Sequence, residues 1–182
     1  PDAVAQDQFY ASLYPAHPYG SSPDGTRASV SALTQSDIRA FHGQYYVARN
    51  AVIAIVGAVD KARATAIAEQ LSQALPPGER APALPTVTLP PAVDKHVEFP
   101  SIQSHVMLGM PGISRGDADY FPLLVGNHAL GGSSLVSILF DEVRDKRGLS
   151  YSVSSYFIAM AERGPFVAQL QTDRKQQDEA VK

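Results

Sequence analysis

Apolar residues step by four at Leu135, Leu139 and Val143, with Val136 and Phe140 beside them, which is the stripe of a helix packed on a core. After Gly148 the period becomes two: Tyr151, Val153, Ser155 and Phe157 on one face, Ser150, Ser152, Ser154 and Tyr156 on the other. Gly148 suits the left-handed residue that ends a helix, and Lys146 and Arg147 stand in the last turn, where cations complement the helix dipole. Arg144 then lies one turn before the end of a helix and Tyr151 near the start of the strand leaving it. A tight turn at Gly148 aims both side chains at one small volume.

The same reading covers the rest of the chain. A helix is predicted around Phe9–Leu13, followed by a loop rich in Pro, Gly and Asp. Thr34 and Asp37 in "TQSD" form a variant of the capping box, ahead of Ile38, Phe41 and Tyr45 at helical spacing. The unbroken β-branched run Ala51–Gly57 predicts a buried strand, and Asp60 caps a helix carrying Ala64, Ile67, Leu71 and Leu75. Six prolines fall between Pro76 and Ala92, a density that removes backbone donors and predicts an extended, exposed linker. Beyond it, Val93–Phe99, Ile102–Met110 and Phe166–Thr172 read as strands, and Asp117 to Leu130 as a helix ended by Gly131-Gly132, with Ser133 or Ser134 starting the next. The fold class is α+β, with residues 1–75, a linker at 76–92 and residues 93–182 as its parts.

Composition narrows the function classes. The 182 residues include 45% hydrophobic and 18% charged residues, ordinary for a globular protein, with a net charge of −3. That balance gives no electrostatic footprint for nucleic acid or an anionic membrane surface. Without cysteine there is no disulfide, thiolate metal site or cysteine nucleophile. No apolar run approaches the roughly 20 residues of a membrane span. The chain opens on "PDAVAQDQFY" without methionine and ends in "KQQDEAVK", a helical pattern cut part-way, so a piece of a longer protein is expected.

Candidate chemistry is sparse. His17, His42, His96, His105 and His128 include no pair three to five residues apart, the spacing that puts two ligands on one helix face, so no metal site is expected; His105 and His128 read as structural or surface residues. The serine-rich runs lack the Gly-x-Ser-x-Gly elbow of a serine hydrolase. What remains is Arg144 with Tyr151. A guanidinium and a phenol, neither needing to change protonation, could orient a peptide and donate hydrogen bonds to a developing oxyanion. By spacing alone they read first as ordinary surface residues beside a helix end, and only second as a catalytic pair.

The string "FDEVRDKRGLSYSVSSYF", preceded by "LLVGNHALGGSSLVSIL", resembles the signature of the second domain in pitrilysin/insulysin-type zinc metallopeptidases, the family of mitochondrial processing peptidase. "HPYGSSPDGT" with "LTQSDIRAFHGQYYVARNAVIAIVGAVD" is similar to the latter part of that family's first domain, and "FPSIQSHVMLGMPGISRGDADYFPL" to the start of its second. The resemblance implies two homologous α+β domains, each an antiparallel-rich sheet with helices packed on one face, both incomplete here and joined by the linker at 76–92. In such proteins zinc sits in the first domain on an inverted His-x-x-Glu-His motif and activates water. This chain has no such motif, so zinc would belong to the longer protein or to a partner.

By the same resemblance, Arg144 and Tyr151 would complete the catalytic site from the opposite side of a cavity, and Gly131, Gly132 and Ser133 would form the substrate-contacting loop. Ser133 and Ile138 stand where relatives often carry Gly and Arg. The implied function is the substrate-clamping part of a zinc metalloendopeptidase acting on a peptide or unfolded polypeptide, inactive alone. The alternative is a non-catalytic subunit or scaffold working beside a homologous zinc-bearing subunit or as a homodimer. A bacterial periplasmic or envelope location is the family-level expectation.

Overall fold

The computed structural model describes every residue of the chain except Ser134. Two compact units form, one from Pro1–Asp24 with Leu84–Lys182 and the other from Gly25–Ala83.

The first unit is built on a three-stranded antiparallel sheet in the order β1-β3-β2, with β1 at Gln103–Pro111, β2 at Val153–Phe157 and β3 at Pro165–Asp173. The register pairs Val106 with Leu170, and Leu170 with Val153, so these three side chains share one face; Gly109, Val167 and Tyr156 share the other. Helix α1, Asp2–Leu13, packs along β1, where Asp2 Oδ1 lies 3.5 Å from His105 Nδ1. The opposite face is covered by Val143, Leu149 and Ala180, which close on Val153 with Leu139 and Leu170 around them. The fold is therefore α+β, with helical segments on both faces of the sheet.

A second cluster ties distant parts of this unit together. Tyr14 is 2% exposed, packs with Leu13 and Val87, and donates its hydroxyl to Arg163 O at 3.0 Å. His17 accepts from Tyr19 N through Nδ1, so Nε2 carries the proton that it gives to Pro85 O at 2.8 Å. Val87 is therefore buried although the proline-rich stretch predicts an exposed linker: a chain without ladder bonds still offers apolar side chains to an aromatic cluster. Residues 76–92 do lack regular secondary structure.

The second unit carries helices α2 (Arg27–Ala32), α3 (Gln35–Tyr45) and α4 (Lys61–Ser72). Thr34 and Asp37 form the reciprocal capping box that the sequence predicts, and Asp60 accepts from Arg63 N at 2.7 Å. Thr26 and Ser29 form another such box at the start of α2. Ala51–Gly57 is not a buried strand: no neighbour pairs with it among the described residues, and Val52 is 93% exposed. Val93–Phe99 likewise runs without a ladder. A β-branched run encodes compatibility with a sheet, and the strand itself exists only once an adjacent chain takes its backbone hydrogen bonds.

The helix predicted from Asp117 to Leu130 is shorter and differently wound. Helix α5 covers Tyr120–Asn127 and continues as a π-helical segment, His128–Gly132. The following helix does not begin at Ser133, which has extended φ and ψ, and Ser134 lies outside the described residues. Leu135 and Val136 sit in a turn and stay exposed, so the apolar stripe starts at Leu139 and Phe140, in a second π-helical segment over Phe140–Lys146.

Candidate functional site

The helix-to-strand switch is fixed from both ends. Gly148 takes φ +62°, the left-handed conformation read from its position, and its N–H closes on Arg144 O at 2.9 Å while Leu149 N–H reaches back to Val143 O at 2.9 Å. Leu149 is buried and its carbonyl accepts from Thr172 Oγ1 at 2.6 Å; Ser150 Oγ lies 2.7 Å from Gln171 O. The backbone just before Tyr151 is thus pinned to β3, while the Tyr151 ring stands 84% exposed.

The structure brings Arg144 and Tyr151 together. The Arg144 guanidinium carbon lies 5.0 Å from the centre of the Tyr151 ring and 4.5 Å from that of Phe140, so the cation rests against two aromatic rings. Such contacts are worth roughly 0.5–1 kcal/mol at exposed positions and about 2 kcal/mol when desolvated, so the buried Phe140 ring does more than the exposed Tyr151 ring to favour this orientation of the guanidinium. Neighbouring charges do not compete for it. Lys146 Nζ binds Asp141 at 2.7 Å and Glu142 at 2.6 Å, which holds the ammonium pKa above its ordinary value, and Arg147 reaches Glu179; Arg144 makes no ion pair among the described residues. No described residue bonds its N–H edge or the Tyr151 hydroxyl, which can therefore meet an external acceptor. Phe140 was not legible as part of this site: its apolar spacing assigns it to the core, and only the one-turn separation from Arg144 hints at stacking.

The glycines lie on β2. Asn127 Nδ2 donates to Ser155 O at 2.8 Å and Ser155 Oγ donates to Asn127 Oδ1 at 2.6 Å, both residues being buried. Gly131 sits so close that a Cβ there would collide with Ser155 Oγ and lie 2.7 Å from Ser155 N. Gly132 is exposed, and Ser133, with φ −107° and ψ 127°, continues from it in extended form. A groove of about 530 Å³ runs beside this turn, lined by Leu124, Asn127, His128, Gly132, Ser155 and Tyr156. Burial raises the Tyr156 phenol pKa, and its hydroxyl donates to Gln169 Oε1 at 3.2 Å. Asn127 and Ser155 escaped the sequence reading; the available signal was a polar residue on the inward register of each element, Asn127 along the apolar face of its helix and Ser155 between Val153 and Phe157.

No three His, Asp or Glu side chains converge on a point that could hold a metal among the described residues. His128 is exposed and His105 Nδ1 lies against Asp2, so the described histidines do not come together as zinc ligands.

Residues 32–182 match the profile of the peptidase M16 inactive domain. This chain belongs to the peptidase M16 family. It is similar to a protein named uncharacterized zinc protease from Streptomyces coelicolor, 36% identical over 174 residues, covering 91% of this chain and 38% of that protein. The M16 chain thus spans about two fifths of the length of such relatives. The crystal structure of the peptidase M16 inactive domain from Pseudomonas fluorescens superposes on all of this chain, and on 44% of that one, with a TM-score of 0.97 and 40% identity. A protease from Helicobacter pylori shares the fold at a TM-score of 0.81 and 23% identity, covering 100% of this M16 chain and 46% of its own. No helix of the described residues is long and apolar enough to cross a membrane.

Proposed function

We propose that this chain is part of a zinc metalloendopeptidase and supplies its substrate-holding side, with Arg144 and Tyr151 as the residues that meet the scissile peptide. The observation that carries this reading is the Arg144 guanidinium resting against Phe140 and Tyr151, with no ion pair among the described residues. Relatives named zinc proteases support the reaction class. Zinc would be held by another part of the longer protein or by a homologous partner subunit, since the described residues of this chain bring no ligand set together. The stretch 76–92, between 1–75 and 93–182, would join parts of two homologous domains.

In this reading the planar N–H fork of Arg144 binds a carbonyl of the substrate, a peptide or unfolded polypeptide, and keeps the scissile bond in register. The Tyr151 hydroxyl donates to the carbonyl oxygen as it gains negative charge, an interaction stronger in the transition state than in the ground state. Gly132, exposed at the end of the π-helical segment, and Ser133, half-buried with extended φ and ψ, present the backbone to which the substrate main chain pairs, and Gly131 seats that turn. His128 and Tyr156 border the groove beside it.

The test uses the full-length protein. Tyr151→Phe should lower kcat by roughly 10²–10³ with little change in KM, as for loss of one oxyanion donor. Arg144→Ala should raise KM and lower kcat together, and Arg144→Lys should rescue poorly because the planar fork is lost. Both variants should keep the parent's far-ultraviolet circular dichroism, since Tyr151 is exposed and Arg144 stands outside the buried cluster. Parent-like turnover in a folded Tyr151→Phe protein refutes the catalytic role of this pair and leaves Arg144 and Tyr151 as ordinary surface residues beside a helix end.

A further inference from the structure

The paired bonds between Asn127 and Ser155 use the unpaired edge of β2. That strand bonds to β3 on one side only, and the end strand of a sheet leaves a row of free N–H and C=O groups. At Ser155 the carbonyl is taken by the Asn127 amide and the hydroxyl returns to the same side chain, so each residue satisfies the other. Helix α5 ends at Asn127, and the π-helical segment that follows brings Gly131 against Ser155 N and Oγ. Gly132 lies on the same support, where a Cβ would fall 2.9 Å from Asn127 Nδ2. β2 also continues the backbone that carries Tyr151. One side chain therefore joins the glycine turn to the strand that follows Tyr151.

We infer that Asn127 is a positioning residue: its two bonds to Ser155 clasp the Gly131–Ser133 turn to the edge of β2 and hold it in register with Arg144 and Tyr151 for binding an extended peptide. The inference deepens the proposed function and rests on the reading of that turn as a substrate contact. Asparagine is suited to the task because one planar amide presents both a donor and an acceptor, whereas Asp offers no donor and Ala offers neither. Removing it leaves a buried carbonyl and a buried hydroxyl without their partner, so the turn is expected to open while the sheet, held by the β1–β3 and β2–β3 ladders, stays closed.

The experiment uses the full-length protein with Asn127→Ala and, as the milder variant, Ser155→Ala, which removes the hydroxyl bond and keeps the amide bond. Deuterium exchange is followed at residues 128–133, with α1 as internal control, and binding of a fluorescein-labelled unstructured peptide is measured by anisotropy where both variants are folded. Asn127→Ala should speed exchange at 128–133 about tenfold and weaken peptide binding about tenfold, with α1 unchanged; Ser155→Ala should move both readouts in the same direction by less. Unchanged exchange at 128–133 in Asn127→Ala overturns the clasp, whatever the peptide does. Faster exchange with unaltered peptide affinity, or a parent protein that does not bind the peptide, overturns instead the turn's role as a substrate contact and with it the positioning role.

Discussion

In Gly25–Ala83 the helices are specified by signals within a few residues of each other, whereas in the unit of Pro1–Asp24 and Leu84–Lys182 they are specified by what they bury. Helices α2, α3 and α4 each begin at a side-chain cap, yet Val47 is the only buried residue of that unit, and Ile38, Phe41 and Leu71 are largely exposed. In the other unit α1 begins at Pro1 with no side-chain cap, and it ends on Leu13 and Tyr14, which are buried against Val87. Capping satisfies orphan N–H groups wherever the helix lies, so it writes a helix into the sequence without saying what the helix packs on. Burial requires a partner far along the chain, and that partner decides which unit is robust.

Truncation exposes this difference most strongly. Tyr14→Ala removes a ring at the centre of an aromatic cluster together with its hydrogen bond to Arg163 O, and should destabilise its unit by roughly 3–5 kcal/mol, as for other large buried aromatics. Phe41→Ala, at a position 58% exposed, should change stability by less than about 0.5 kcal/mol. Urea unfolding of the two variants measures both; equal shifts would remove the distinction between the units.

The same contrast explains what could be read before the structure. Local chemistry was legible: the Thr34–Asp37 box, the Asp60 cap, the left-handed Gly148 and the strands β1, β2 and β3 lie at or within a few residues of their predicted places. The juxtaposition of Arg144 and Tyr151 followed from the same turn. Long-range partners were not legible. The run Ala51–Gly57 has the composition of a buried strand but no ladder among the described residues, and Val87 is buried because an aromatic cluster far earlier in the chain, around Tyr14, receives it. The π winding at His128–Gly132 and Phe140–Lys146 was hidden because a 3.6-residue apolar period does not register one extra residue in a turn.

A smaller effect separates the units by pH. Burial, reinforced by the neighbouring Tyr10 and Tyr19, raises the Tyr14 phenol pKa, and burial raises that of Tyr10. The folded state therefore holds these protons more tightly than the unfolded chain. Their contribution is complete below the ordinary phenol range and declines as pH rises from about 10 toward the folded-state value. The urea midpoint of the tyrosine-rich unit should fall as pH rises above about 10, and Tyr14→Phe should flatten that fall. In neutral solution the same substitution costs only the bond to Arg163 O, roughly 0.5–1.5 kcal/mol. An alkaline decline of equal slope with Phe at this position would assign the effect elsewhere.

The smallest effect belongs to the other unit and has the opposite sign. Asp37 accepts from the Thr34 hydroxyl at 2.6 Å and from Thr34 N at 2.8 Å, and these bonds hold its carboxyl below the usual carboxylate range. A depressed folded-state value means that the unfolded chain binds the proton first on acidification. The cap's contribution is therefore present above about pH 4, the unfolded-state value for Asp, and is lost as pH falls through the folded-state value. Residues 35–45 should fray at low pH while β1, β2 and β3 keep their protection. Asp37→Asn should remove that acid dependence and weaken α3 slightly at neutral pH, since a neutral amide interacts less favourably with the positive end of the helix dipole. Residue-resolved exchange across α3 at pH 3 and pH 6, read as a ratio to β3, measures both arms on the order of these carboxylate values. A ratio independent of pH would mean that α3 is held by contacts beyond its cap, and the contrast between locally and distantly specified helices would no longer hold for this element.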